Sequence, residues 1–375
     1  MRPSTKALAA AFLTYGLMTS LPTYAQQAAK APAKQTIKID KDDIGGTVTG
    51  PNGPEAGVWV IAETRDQPVR YIKIVVTDDQ GRFVVPDLPK GTYDVWARGY
   101  GLIDSDKQKV EPGKLISITA KIAPDEKSAA HYYPAIYWYA MMKIPPASLF
   151  PGTGPNGNNM AVALKDQGQW LRFTKTDGCG HCHQLGDLAT RTMPANIGHF
   201  DTQEEAWERR LQSGQAGRNM MEELAKFDVP RQLTLLSDWT NRIAKGELPK
   251  SDPARPVGQE RNVVITEWDW ENPTMYVHDT ISTDRRNPTV NGHGLIYGAP
   301  EVSSDNVPWL DPVDNKAGFI KSEYRDPKTP TTKNDLILAP SPYWGNEPIW
   351  DSHTVIHNPM FDAGGRVWLT ARTRP

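Results

Sequence analysis

Residues 179–187 read CGHCHQLGD and hold both cysteines of a 375-residue chain. Two thiols three positions apart, followed at once by His183, mean different things in different compartments. The chain opens MRPSTKALAAAFLTYGLMTSLPTYAQQ. Arg2 and Lys6 are basic, and Ala7 to Met18 is an apolar run shorter than the ~20 residues a membrane-spanning helix needs. Small residues at T-Y-A, ending at Ala25, suit a cleavage site. Residues 1–25 are therefore expected to be a secretory signal peptide, and the mature protein periplasmic or secreted. No later run is apolar for long enough to span a bilayer, so no transmembrane segment is expected after cleavage.

In an exported protein, CxxCH is the attachment pattern of a c-type haem. The two thiols add across the porphyrin vinyl groups, and the adjoining turn places the next imidazole under the iron. One covalent haem c is expected, with Cys179 and Cys182 as thioethers and His183 as the proximal iron ligand. A structural zinc site would want a second ligand pair, which the chain lacks. A redox disulfide would want a thioredoxin-like βαβ setting, which is not evident here.

The flanking sequence supplies helices. KDQGQWLRFTKTDG sets Trp170 and Phe173 three apart. TQEEAWERRLQSG begins with a Thr cap and acidic residues and stops at Gly214. DVPRQLTLLSDWTNRIAKGELP spaces Leu233, Leu236, Trp239 and Ile243 helically. Helix, CxxCH, loops and a closing helix over 160–250 resemble a class I cytochrome c domain. The resemblance implies a downstream methionine in a loop before the last helix. GQAGRNMMEELAKF offers Met220, with Met221 as the alternative; His199 would give bis-His ligation, and Met193 lies close behind His183.

Residues 38–123 have another texture. Short alternating runs are separated by turn signals, among them Asp78-Asp79-Gln80-Gly81 as a hairpin. The words T-D-x-x-G-x-F and L-P-x-G-x-Y-x-V resemble the carboxypeptidase regulatory-like domain. That resemblance implies an all-β prealbumin-like sandwich with an accessory role. Residues 124–159 form an aromatic and Pro/Gly linker, whose tyrosines and Trp138 are expected to pack between domains. PKSDPARPVGQER reads as a second linker. Beyond it, 260–375 has blade-like rhythm, as in DSHTVIHNPMFDAGGRVWLTART, and resembles the streptogramin-lyase type of β-propeller. The span is too short to close a ring, which takes four or more blades of roughly 40–45 residues. A fragment of a longer chain, or blades from a partner, is expected. His278, His293, His353 and His357 could line such a centre.

The expected fold class is thus multidomain: an all-β sandwich, an all-α cytochrome c domain and a partial all-β propeller. Residues 160–250 are expected to fold alone and 260–375 not. Net charge −2 with 23% charged residues in mixed order leaves no footprint for nucleic acid. The leading function is one-electron transfer with a periplasmic redox partner. The alternatives are a propeller-based lyase or dehydrogenase with an attached haem domain, and a haem-sensing or glycan- or protein-binding scaffold.

Overall fold

Alternating apolar residues in the N-terminal third fold as strands, and their partners decide the architecture. The structure, a computed structural model, describes residues 36–372; the expected signal peptide lies outside the described residues. The strands are β1 (Ile44–Gly50), β2 (Gly53–Pro54), β3 (Trp59–Thr64), β4 (Tyr71–Val76), β5 (Arg82–Val85), β6 (Tyr93–Arg98), β7 (Leu102–Ile103), β8 (Gln108–Val110), β9 (Lys114–Thr119), β10 (Lys121–Ile122) and, far along the chain, β11 (Val264–Trp268). One sheet runs β2-β1-β5, with β9 parallel to β1; the other runs β11-β4-β3-β6-β8. Ile44, Val48, Phe83 and Val85 from the first sheet share a core with Val60, Tyr71, Val75, Tyr93 and Val95 from the second. Burying each such side chain contributes roughly 1.5–3 kcal/mol.

Two features depart from expectation. Asp78–Gly81 does not close a hairpin, because β4 and β5 belong to different sheets. Turn residues mark where a chain reverses, not which strand it then joins. The reversal still needs Gly81: its φ is +69°, and a Cβ there would sit 2.4 Å from the Val48 carbonyl oxygen. The second departure is β11, read as the start of a blade. It pairs antiparallel with β4, from Val264↔Val75 to Trp268↔Tyr71. The segment before it is no free linker either, since Arg255 reaches Glu55 at 2.6 Å.

Between β10 and β11 lie the helices α1 (Glu126–Ala130), α2 (Ala135–Tyr139), α3 (Gln167–Arg172), α4 (Cys179–Cys182), α5 (Leu188–Arg191), α6 (Gln203–Leu211), α7 (Gly217–Leu224) and α8 (Val229–Ala244). α6 starts on a Thr202–Glu205 capping box, and α8 carries Pro230 in its first turn. Trp170, Trp207, Leu224, Phe227, Leu233, Leu236 and Trp239 form the helical core. A separate all-α domain over 160–250 does not stand out. Tyr139 and Met142, from ahead of that range, belong to the same core, and Trp239 Nε1 donates to the Trp138 carbonyl at 2.8 Å. On the other side, Gly214 N–H donates to the Ala339 carbonyl at 2.9 Å. Cut at 160 and 250, this unit would lose core side chains, so the expectation that it folds alone is withdrawn. The aromatics of 124–159 do pack inward: Tyr133 and Trp138 cluster with Tyr100 from the β6–β7 turn and Ile243 from α8.

The C-terminal part forms a four-stranded antiparallel sheet, β12 (Asp279–Ile281), β13 (Ile296–Ala299), β14 (Asn306–Asp311) and β15 (Lys316–Lys321), in chain order. A hairpin of β16 (Ile356–Phe361) and β17 (Val367–Ala371) follows. Trp268 Nε1 donates to Asn315 Oδ1 at 2.9 Å, tying this sheet to the N-terminal one. The fold is mixed and β-rich with open sheets. Among the described residues no helix is long and apolar enough to cross a membrane.

Candidate functional site

The CxxCH stretch becomes a single tight helical turn. α3 runs into a π-helical turn, Phe173–Asp177, whose Thr174 Oγ1 lies 2.6 Å from the buried Tyr139 hydroxyl. Gly178 breaks the spiral, and α4 then carries Cys179 and Cys182 at i and i+3, on one face. His183 N–H donates to the Cys179 carbonyl at 3.1 Å, and His183 leaves the turn with extended backbone. The turn is pressed so closely on its predecessor that a Cβ on Gly180 would lie 1.7 Å from the Lys175 carbonyl oxygen.

The three motif residues have different surroundings. Burial pushes the Cys179 thiol up to about 11, with Glu223 adding to it. Cys182 is exposed, and the Tyr276 hydroxyl donates to its Sγ at 3.5 Å. His183 keeps an exposed surface, yet burial lowers its pKa, helped by Arg210 and opposed by Asp187. Its imidazole is thereby held neutral near pH 7, the form that can ligate iron.

The methionines fall on α7, a helix where the resemblance implied a loop. Met193, Met220 and Met221 are all half-buried; Met193 and Met221 pack against the helical core, and Met220 lies outside it. Met220 and Glu223 share a face of α7, being three apart. That face borders the motif: a Cβ on Gly178 would lie 3.2 Å from Glu223 Oε2. His199 is exposed. A cavity of about 440 Å³ between α2 and α3 is lined by Tyr139, Met142, Trp170 and Lys175 but by neither cysteine nor His183.

Nothing in the sequence announces what touches the turn. His181 Nε2 lies 3.0 Å from His278 Nε2, across 97 residues of chain. His278 in turn stands beside Asp279 and His357. Of the other two candidate histidines, His353 pairs with Asp305 at 2.6 Å and stacks on Tyr324, and His293 sits exposed in a loop. The chain matches no protein-family model, and no curated protein sequence matches it.

Proposed function

We propose that the protein is an exported carrier of one covalent haem c that exchanges single electrons with a periplasmic redox partner. The observation that carries this reading is the α4 turn, with Cys179 and Cys182 on one face and the exposed, neutral His183 imidazole directly after them. The residues fit the group: Cys179 and Cys182 would hold it by thioethers, and His183 would ligate the iron. Met220 is the favoured sixth ligand, with Met221 the alternative. A haem bound there supplies reversible one-electron chemistry, at a potential raised by a thioether ligand. Arg210, half-buried beside His183, would offset propionate charge. On the same reading 38–123 is a prealbumin-like accessory module, α3–α8 a cytochrome c-type fold merged with its neighbours, and the C-terminal part a set of partial propeller blades.

The test is an optical redox titration of the full chain matured with haem-attachment machinery. A one-electron transition with haem c bands, lost in the Cys179→Ala/Cys182→Ala variant, is expected. The same bands in that double variant would refute covalent attachment, and absence of any haem bands would refute the reading. A second reading, in which the C-terminal part is an enzyme served by the haem, is favoured by the histidine and carboxylate cluster against the motif.

A further inference from the structure

Asp279 opens β12 with its carboxylate between two imidazoles. His278 Nδ1 stands 3.0 Å from Oδ1, and His357 Nδ1 stands 3.6 Å from Oδ2. Each of the three residues offers a ligand atom within 4.8 Å of the others. Zinc ligand atoms about 2.0–2.1 Å from a tetrahedral ion lie roughly 3.3 Å from one another, which the two observed separations bracket. His278 Nδ1 is buried and faces the Asp279 carboxylate at 3.0 Å. A buried ring nitrogen and a carboxylate this close suit either a shared proton or a shared ion.

The far side of each ring is already engaged. His278 Nε2 meets His181 Nε2 at 3.0 Å, and His357 Nε2 meets Glu301 Oε1 at 3.1 Å. Metal-bound histidines are oriented in this way, through the nitrogen that does not ligate. The backbone fixes the parts: His278 N–H donates to the Ala299 carbonyl, Glu301 N–H to the Ile356 carbonyl, and Asn358 N–H to Asp279 Oδ2 at 3.0 Å. Among the described residues no lysine or arginine forms an ion pair with Asp279 or Glu301. Two carboxylates are thus left to balance a cation.

We propose that His278 Nδ1, His357 Nδ1 and the Asp279 carboxylate bind one divalent transition-metal ion, with zinc the ion that best suits two imidazoles and a carboxylate. Three protein ligands leave the fourth position for water or an oxygen-donor substrate, the arrangement of catalytic rather than structural zinc. The site does not depend on the haem reading, although His181 joins it to the motif turn.

The test uses the untagged full chain, its thiols bound to haem or alkylated so that they take no metal. Calorimetric titration with zinc chloride, and metal analysis after gel filtration, should give one zinc per chain at micromolar affinity or tighter. His357→Ala and Asp279→Asn should each weaken binding by about 100-fold or more, and Glu301→Gln by about 10–100-fold. His293→Ala should leave it unchanged. Circular dichroism checks each fold; if His357→Ala unfolds, Glu301→Gln decides. Absence of stoichiometric zinc binding, or binding that these ligand changes leave intact, would mean an ion-pair cluster only and overturn the proposal. Iron measured in the same samples reports on the haem reading separately.

Discussion

Gly180 is where the motif meets a steric limit, because its missing Cβ leaves room for the Lys175 carbonyl. Gly180→Ala should force the turn apart, lowering stability by about 2 kcal/mol or more and cutting haem incorporation; melting curves and haem yield would read this. The methionines separate by helical phase. Met220→Ala should abolish the weak far-red band of ferric His/Met haem and lower the potential, with little loss of stability. Met221→Ala should keep the band and cost about 1–3 kcal/mol of core packing. The cysteines also differ. In the unmatured chain the thiolate is the reactive form. With its thiol pushed up to about 11, Cys179 should alkylate at least tenfold more slowly than Cys182 near pH 8. The raised value also has a stability sign: its contribution is full below the unfolded thiol pKa, near 9, and is lost as pH climbs through 11. At this scale the sequence shows the C-x-x-C-H spacing itself, which thioether attachment would require whatever the fold. It could not reveal that His181, the residue inside the motif, would touch His278.

Elements set by local rules were legible. Thr202, Glu205, Pro230 and Gly214 announce where helices begin and end, and the structure uses them so. Thr202→Ala should cost about 1 kcal/mol in a urea titration. Elements set by distant partners were not legible. NVVITEWDW has the alternation of a strand, but alternation carries no address, and β11 completes the N-terminal sheet. Its anchor is Trp268, stacked edge-on against Tyr71 at 6.1 Å and bonded to Asn315. Trp268→Ala should destabilise the protein by about 2–4 kcal/mol and expose the β4 edge, seen as a lower melting temperature and as aggregation on gel filtration.

At the scale of the whole molecule, three textures in the sequence become one interlocked unit over the described residues from Ile37 onward. Composition changes mark local textures, but the chain returns across them. Arg255 and Glu55 are joined over 200 residues, and Gln215 bonds to the carbonyls of Thr332 and Trp350. The motif turn is thereby touched by segments that a domain-by-domain reading keeps apart, with Tyr276 on Cys182 and His278 on His181. Function at this scale rests on whether that turn carries haem. The most direct measurement is the intact mass of the full chain after expression with haem-attachment machinery, under denaturing conditions that strip non-covalent groups. A mass increased by one haem, with both thiols refractory to alkylation, is the expected result. An unmodified mass with two alkylatable thiols would contradict covalent attachment at Cys179 and Cys182, and with it the electron-carrier function.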